Sequence, residues 1–281
     1  MKTNSICVCG AGTMGSGIAL VSATAGFNTI LYEVNKTILE KARKEIGKNL
    51  RILVEKNKMT AAEKEDAFAR IHFVADYHQC IADVIIEAIV EQVKAKTSLF
   101  DQLSTINSDK TIFATNTSSL SVSQIGNRIS HADRVVGMHF FNPAPLMKLV
   151  EVIKAAKTSD AVVETIVDLV RQFGKIPVVC KDSPGFIVNR VARPFYIESL
   201  RIIEEGEIDF ATIDDLMEAT GFKMGPFKLM DLIGNDVNYA VSQSVYEQLN
   251  NPERLKPSII QREKVKKGEL GKKTGKGYYE Y

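Results

Sequence analysis

His139 stands between Met138 and two phenylalanines in the stretch VVGMHFFNPAPLMKLVEVI, residues 135–153. An imidazole titrates near neutrality, so the chemistry it offers is proton transfer. Taken alone in an apolar run, it reads as a satisfied core or edge histidine. A second chemistry-bearing pattern is GAGTMG, formed by Gly10, Ala11, Gly12, Thr13, Met14 and Gly15. The G-x-G-x-x-G spacing suits a dinucleotide. The first glycine permits a tight turn, the second lets the backbone approach a pyrophosphate, and the third lets helix and strand pack closely. The helix that follows supplies N–H groups at its N-terminus to the anion. Glu33 ends the next strand, in ILYE, eighteen positions after Gly15. A carboxylate there accepts hydrogen bonds from a ribose diol and repels a 2′-phosphate, which favours NAD over NADP.

These residues need elements to position them, and the pattern supplies a consistent set. SICVC reads as a strand, Thr13 to Gly26 as a helix, TILY as a strand, and Lys36 to Lys58 as a long helix. That alternation predicts a parallel sheet with crossover helices. TAAE (60–63) reads as a capping box opening another helix. DVIIEAIV, a helix through Leu103, TIFATN, RVVGMHFF, MKLVEVI, a helix near 160–173 and IPVVC follow. Past KDSPGF only helices are expected, over 187–205, 212–219, 235–249 and 258–267. With Pro184 and Gly185 as punctuation, the boundary falls at Ser183. The expected architecture is α/β, a Rossmann-like dinucleotide-binding domain over 1–183 followed by an all-α domain over 184–281.

Composition bounds the function. The chain has 281 residues, 45% apolar and 25% charged, as in ordinary globular proteins. With 36 basic and 34 acidic residues and a net charge of +2, no nucleic-acid partner is expected. The start, MKTNSICVCGAG, passes straight into the glycine loop without a signal-peptide pattern, and no apolar run approaches a membrane span. A cytoplasmic protein with no membrane partner is therefore expected. Four cysteines are too few for a disulfide framework, and no His or Cys residues fall at zinc-ligand spacing, so reduced thiols and no metal are expected.

Taken in order, GAGTMGSGIA, ATNTSSLSV, GMHFFNPAPLMKLVEV, KDSPGFIVNR, MGPFKLMD and GKKTGKGYYEY cover essentially the whole chain. In that order and spacing they resemble the short-chain L-3-hydroxyacyl-CoA dehydrogenase family, in particular its bacterial 3-hydroxybutyryl-CoA dehydrogenase branch. The resemblance implies reversible oxidation of (S)-3-hydroxybutyryl-CoA to acetoacetyl-CoA with NAD, in butyrate or fatty-acid metabolism, by a homodimer or higher homo-oligomer built on the helical domain.

The resemblance also implies site residues. His139 is the general acid/base on the substrate's 3-oxygen and Glu151 its partner, and two strands joined by a short proline loop can set them side by side. Ser118 matches the serine that hydrogen-bonds the 3-oxygen near the nicotinamide, and Asn189 the asparagine that orients substrate and histidine. Glu91, Lys96, Asn142 and Lys273 carry over as cofactor contacts. Asn49 and Lys56 carry over as coenzyme A contacts, on a stretch (36–58) with eight basic residues against three acidic. Asn49 departs from the serine of some relatives, and Glu33 from their frequent Asp.

Two other readings stay open at this stage. One is a β-hydroxyacid dehydrogenase acting on a free acid, which typically uses a catalytic lysine in place of the His/Glu pair. The other is an NAD-binding structural or redox-sensing protein on the same fold without turnover.

Overall fold

The computed structural model describes residues 3–127, 129–206 and 208–281. It divides into two compact units, one ending at Ser183 and one beginning at Pro184. The first is built on eight strands: β1 (Ser5–Cys9), β2 (Asn28–Tyr32), β3 (Ile71–Val74), β4 (Val84–Glu87), β5 (Ile112–Thr115), β6 (Val135–Phe140), β7 (Leu149–Lys154) and β8 (Ile176–Lys181). Its helices are α1 (Thr13–Thr24), α2 (Lys36–Glu55), α3 (Ala61–Ala69), α4 (Val93–Ser104), α5 (Val122–Gly126) and α6 (Asp160–Gln172).

All strands lie in one sheet in the order β3-β2-β1-β4-β5-β6-β7-β8. The first six follow the 3-2-1-4-5-6 order of doubly wound nucleotide-binding sheets, whose order reverses between β1 and β4. The central strands are covered on both faces, which is why β1 and β4 read as unbroken apolar runs: Ile6, Cys7, Val8 and Cys9 are inaccessible, as are Val84, Ile85 and Ile86. Cys7, Cys9 and Cys80 are buried free thiols, and Cys180 is a half-buried one.

The sheet is parallel except at one place, where the short proline loop joins its strands. β6 and β7 pair antiparallel, and β8 then pairs parallel to β7. The cause is the connection, because a parallel crossover takes a dozen or more residues whereas 141–148 only turns the chain back. The Lys175 ammonium, almost fully buried, pins that turn by donating to the carbonyls of Ala144 (2.6 Å) and Met147 (2.7 Å). Two short elements escaped the sequence reading. β3 has only four residues at the sheet edge, with His72 exposed. α5 is barely more than a turn, capped by Ser121.

Helix ends follow local chemistry. Asn35 caps α2 by accepting from the N–H groups of Thr37 and Ile38, and Thr60 with Glu63 forms the expected capping box on α3. α2 buries Leu39, Ala42, Ile46 and Leu50 at three- and four-residue spacing, leaving its basic residues on the outer face.

The second unit contains α7 (Val188–Glu205), α8 (Phe210–Ala219), α9 (Pro226–Ile233), α10 (Asn235–Gln248) and α11 (Ile259–Lys266). α9 was not expected; Pro226 at its first position is the start signal that was available. One core gathers Tyr196, Leu200, Ile213, Phe227, Met230 and Tyr278. The buried Asp231 carboxylate ties down the C-terminal segment, accepting from the N–H groups of Tyr278 and Tyr279 at 3.0 Å each. No helix among the described residues is long and apolar enough to cross a membrane.

Candidate active site

The glycine loop connects β1 to α1, the context a dinucleotide-binding turn requires. Gly10 has a φ of +100°, and a Cβ there would lie 2.6 Å from the Ala88 carbonyl oxygen on the neighbouring strand end. A Cβ on Gly15 would lie 1.8 Å from the Gly10 carbonyl oxygen, so the third glycine is what lets α1 pack onto its own loop. Gly12 differs: a Cβ would meet nothing within 4 Å, so the space beside it is open. Gly12 is the N-cap of α1 and no side chain caps the helix, so backbone N–H groups face that space. The Glu33 carboxylate is turned to the same loop, accepting from the N–H of Ala11 (3.2 Å) and of Asn35 (3.0 Å). An open cradle of N–H groups with a carboxylate beside it fits NAD.

Ala11, Gly12 and Thr13 also line a cavity of about 890 Å³. Its far wall is α2, where Lys41, Glu45 and Asn49 recur every four residues and Lys56 and Lys58 follow. Asn142, joined to Pro143 by a cis peptide bond, lines it from the β6–β7 turn, with Pro145 and Leu146. Three groups of sequence candidates, the loop, Asn142, and Asn49 with Lys56, thus share one cavity.

His139 and Glu151 are directly opposed in the antiparallel β6–β7 register. His139 Nδ1 and Glu151 Oε2 are 2.7 Å apart, and the residues are 5% and 1% exposed. With the proton on Nδ1 donated to the carboxylate, Nε2 is the basic nitrogen, the one suited to take a proton. The Phe141 ring lies against the imidazole, centroids 4.5 Å apart. On the far side of Glu151, burial and then the charges of Glu151 and Asp182 push the Cys180 thiol up to about 12, so it remains a thiol at neutral pH.

Ser118 follows β5, whose last residue Thr115 is opposite Gly137 on β6. Ser118 and His139 therefore emerge at the same end of adjacent strands. The Ser118 loop is held by Glu91, whose Oε1 accepts from the Thr117 hydroxyl (2.5 Å) and the N–H groups of Ser118 (3.0 Å) and Ser119 (3.3 Å). Burial alone would raise the Glu91 carboxyl, but Lys96 and the donors from Thr117 and Ser118 outweigh it and hold it below the usual range. Lys96 is 1% exposed, its ammonium 2.6 Å from Glu87 and 3.1 Å from Glu91, so it bears on the site through those carboxylates. Sequence reasoning passed over Glu87, although an acidic residue inside the apolar run DVIIEAIV was the available signal.

The last two candidates lie in the second unit. Asn189 is the second residue of α7, and its carbonyl accepts from Arg193 Nε at 3.0 Å. The Lys273 ammonium is paired with Asp236 at 2.6 Å.

A doubly wound sheet, a glycine loop opening α1 and an acidic residue just after β2 define an NAD-binding protein of the Rossmann class. Comparison narrows the class. A sequence model of the 3-hydroxyacyl-CoA dehydrogenase NAD-binding domain matches residues 5–183, and one of the 3-hydroxyacyl-CoA dehydrogenase C-terminal domain matches 185–281. The chain is 44% identical over its full length to the 3-hydroxyadipyl-CoA dehydrogenase of Escherichia coli, of which it spans 60%. It is 39% identical to the mitochondrial hydroxyacyl-coenzyme A dehydrogenase of Sus scrofa, covering 98% of this chain and 90% of that protein. The crystal structure of (S)-3-hydroxybutyryl-CoA dehydrogenase from Ralstonia eutropha superposes with a TM-score of 0.95 at 36% identity, over 100% of this chain and 99% of that one. The chain belongs to the 3-hydroxyacyl-CoA dehydrogenase family.

Proposed function

We propose that the protein reversibly oxidises (S)-3-hydroxyacyl-CoA thioesters to 3-oxoacyl-CoA, with the four-carbon 3-hydroxybutyryl-CoA as its substrate, in butyrate or fatty-acid metabolism. The observation that carries this reading is the buried His139–Glu151 pair at 2.7 Å. Bound NAD supplies the acceptor for the C3 hydride. His139 Nε2 takes the 3-hydroxyl proton as the hydride leaves, and Glu151 fixes the tautomer and stabilises the imidazolium. Ser118 hydrogen-bonds the 3-oxygen, and Asn189 keeps the orienting role that the family resemblance gives it. In the reductive direction His139 returns the proton to the ketone oxygen. Burial of the pair keeps bulk water from competing for that proton.

The cavity supports the thioester half of the proposal. Coenzyme A carries several negative charges, and Lys41, Lys56 and Lys58 line the cavity together with the apolar Leu20, Ile52 and Leu146. Acetoacetyl-CoA should drive NADH consumption while free acetoacetate does not, and NADPH should serve far less well than NADH. The opposite preference, acid over thioester, would sink the proposal. Running 3-hydroxybutyryl-CoA beside 3-hydroxyadipyl-CoA and longer thioesters sets the acyl range. Replacing Lys56 with alanine should raise the KM for the thioester about five- to tenfold, as loss of one charge-assisted contact in a solvated groove does, with kcat within about twofold. An equal fall in kcat would argue against a ground-state binding role. The proposal extends to a cytoplasmic homodimer associated through the helical unit, which sedimentation of the purified chain checks.

A further inference from the structure

Three ionisable side chains meet beyond the carboxyl ends of β4 and β5 in a way the proposed proton transfer does not use. Glu87, the last residue of β4, is fully buried, and Lys96 lies on the first turn of α4. Lys96 pairs with both Glu87 and Glu91. Both carboxylates have further donors. Thr115 gives its hydroxyl to Glu87 Oε2 (2.6 Å) and Ile89 its N–H to Oε1 (2.7 Å), while Glu91 takes Thr117, Ser118 and Ser119. These donors favour the charged form; at Glu91 they outweigh burial, whereas at Glu87 burial is the larger effect and holds the carboxyl above its usual range, so the test is run well on the alkaline side. One carboxylate would balance one ammonium, so the second leaves a surplus of one negative charge, which a purely structural ion pair has no need of.

The place of that surplus gives it a use. A dinucleotide on a doubly wound sheet crosses at the point where strand order reverses, here between β1 and β4. The glycine loop and Glu33 occupy the β1–β2 side, so the nicotinamide half falls to the β4–β5 side. An oxidised nicotinamide ring carries one positive charge and a reduced ring none. We propose that Glu87, acting through Lys96 and Glu91, is a positioning residue that maintains one surplus negative charge at the nicotinamide end, and so tightens NAD⁺ binding relative to NADH.

The test measures Kd for NAD⁺ and NADH by calorimetry and NADH fluorescence at pH 8, with no thioester present, so it is independent of the substrate reading. Glu87→Gln keeps the shape and can still meet its donors, with the Thr115 hydroxyl turning to accept. It cancels the surplus, and the ratio Kd(NAD⁺)/Kd(NADH) should rise about tenfold, the scale of one charge acting at medium range through an effective dielectric of about 20. A second variant, Glu87→Asp, keeps the carboxylate and its charge beside Lys96 and should leave the ratio within about twofold of the parent. An unchanged ratio in Glu87→Gln, or equal weakening of both forms, overturns the proposal. So does a Glu87→Asp variant that shifts the ratio by tenfold.

Discussion

His139→Gln should lower turnover by roughly 10² to 10⁴-fold, the range of a lost general acid/base, while NADH binds about as before. Glutamine can still donate to Glu151 across the β6–β7 register, so the buried carboxylate keeps a partner and the fold is spared the cost of an orphaned charge. What disappears is a group that gains and loses a proton. Steady-state turnover with acetoacetyl-CoA, beside NADH binding followed by fluorescence, separates the two effects. Near-normal kcat with bound NADH would remove His139 from the reaction and return it to the core residue it resembles in isolation. Glu151→Gln should cost less than His139→Gln, because an imidazole that has lost its charged partner still carries a transferable proton. If the two substitutions were made together, the losses would not add, since both act on one proton transfer.

That pair also shows where sequence reasoning reaches and where it stops. The alternation of apolar strands and amphipathic helices is local, so the α/β class followed by a helical unit was legible from periodicity. The glycine loop was legible too, since its spacing falls between a strand and a helix adjacent in sequence. His139 was different: nothing in HFF distinguishes a core imidazole from a proton-transfer group until Glu151 is set opposite it. That register comes from pairing across twelve residues, and only the family resemblance raised it from the sequence. Glu87 was missed because its partner Lys96 arrives from the next helix. A four-residue edge strand such as β3 offers too little periodicity to declare itself, and α9 is eight residues wedged between glycine turns. Asn189 and Lys273 look like ordinary helix and tail polar residues, and the resemblance alone singled them out.

The two glycines of the loop should fail in opposite ways, which separates the fold's requirement from the cofactor's. At Gly15 an added methyl would lie 1.8 Å from the Gly10 carbonyl oxygen, a backbone atom that cannot swing aside. Gly15→Ala must push α1 off its own loop. Overpacking of this kind costs about 3 kcal/mol, which lowers the Tm of a domain of this general size by about 6–12 °C. At Gly12 the backbone is extended, with φ −70° and ψ −171°, and a Cβ meets no protein atom within 4 Å. Gly12→Val is therefore expected to leave Tm within about 1–2 °C, since surface substitutions of this sort fall within about 0.5 kcal/mol. Its side chain fills the space in front of the α1 N-terminus instead. Two charge-assisted hydrogen bonds to a pyrophosphate, at about 1.5 kcal/mol each, correspond to an NAD affinity loss on the order of 100-fold. Thermal melts without cofactor and NADH titrations on both variants check this. If Gly12→Val melted as early as Gly15→Ala, the second glycine would be serving the protein's own packing; if it bound NADH normally, the open cradle beside it would not be where the pyrophosphate lies.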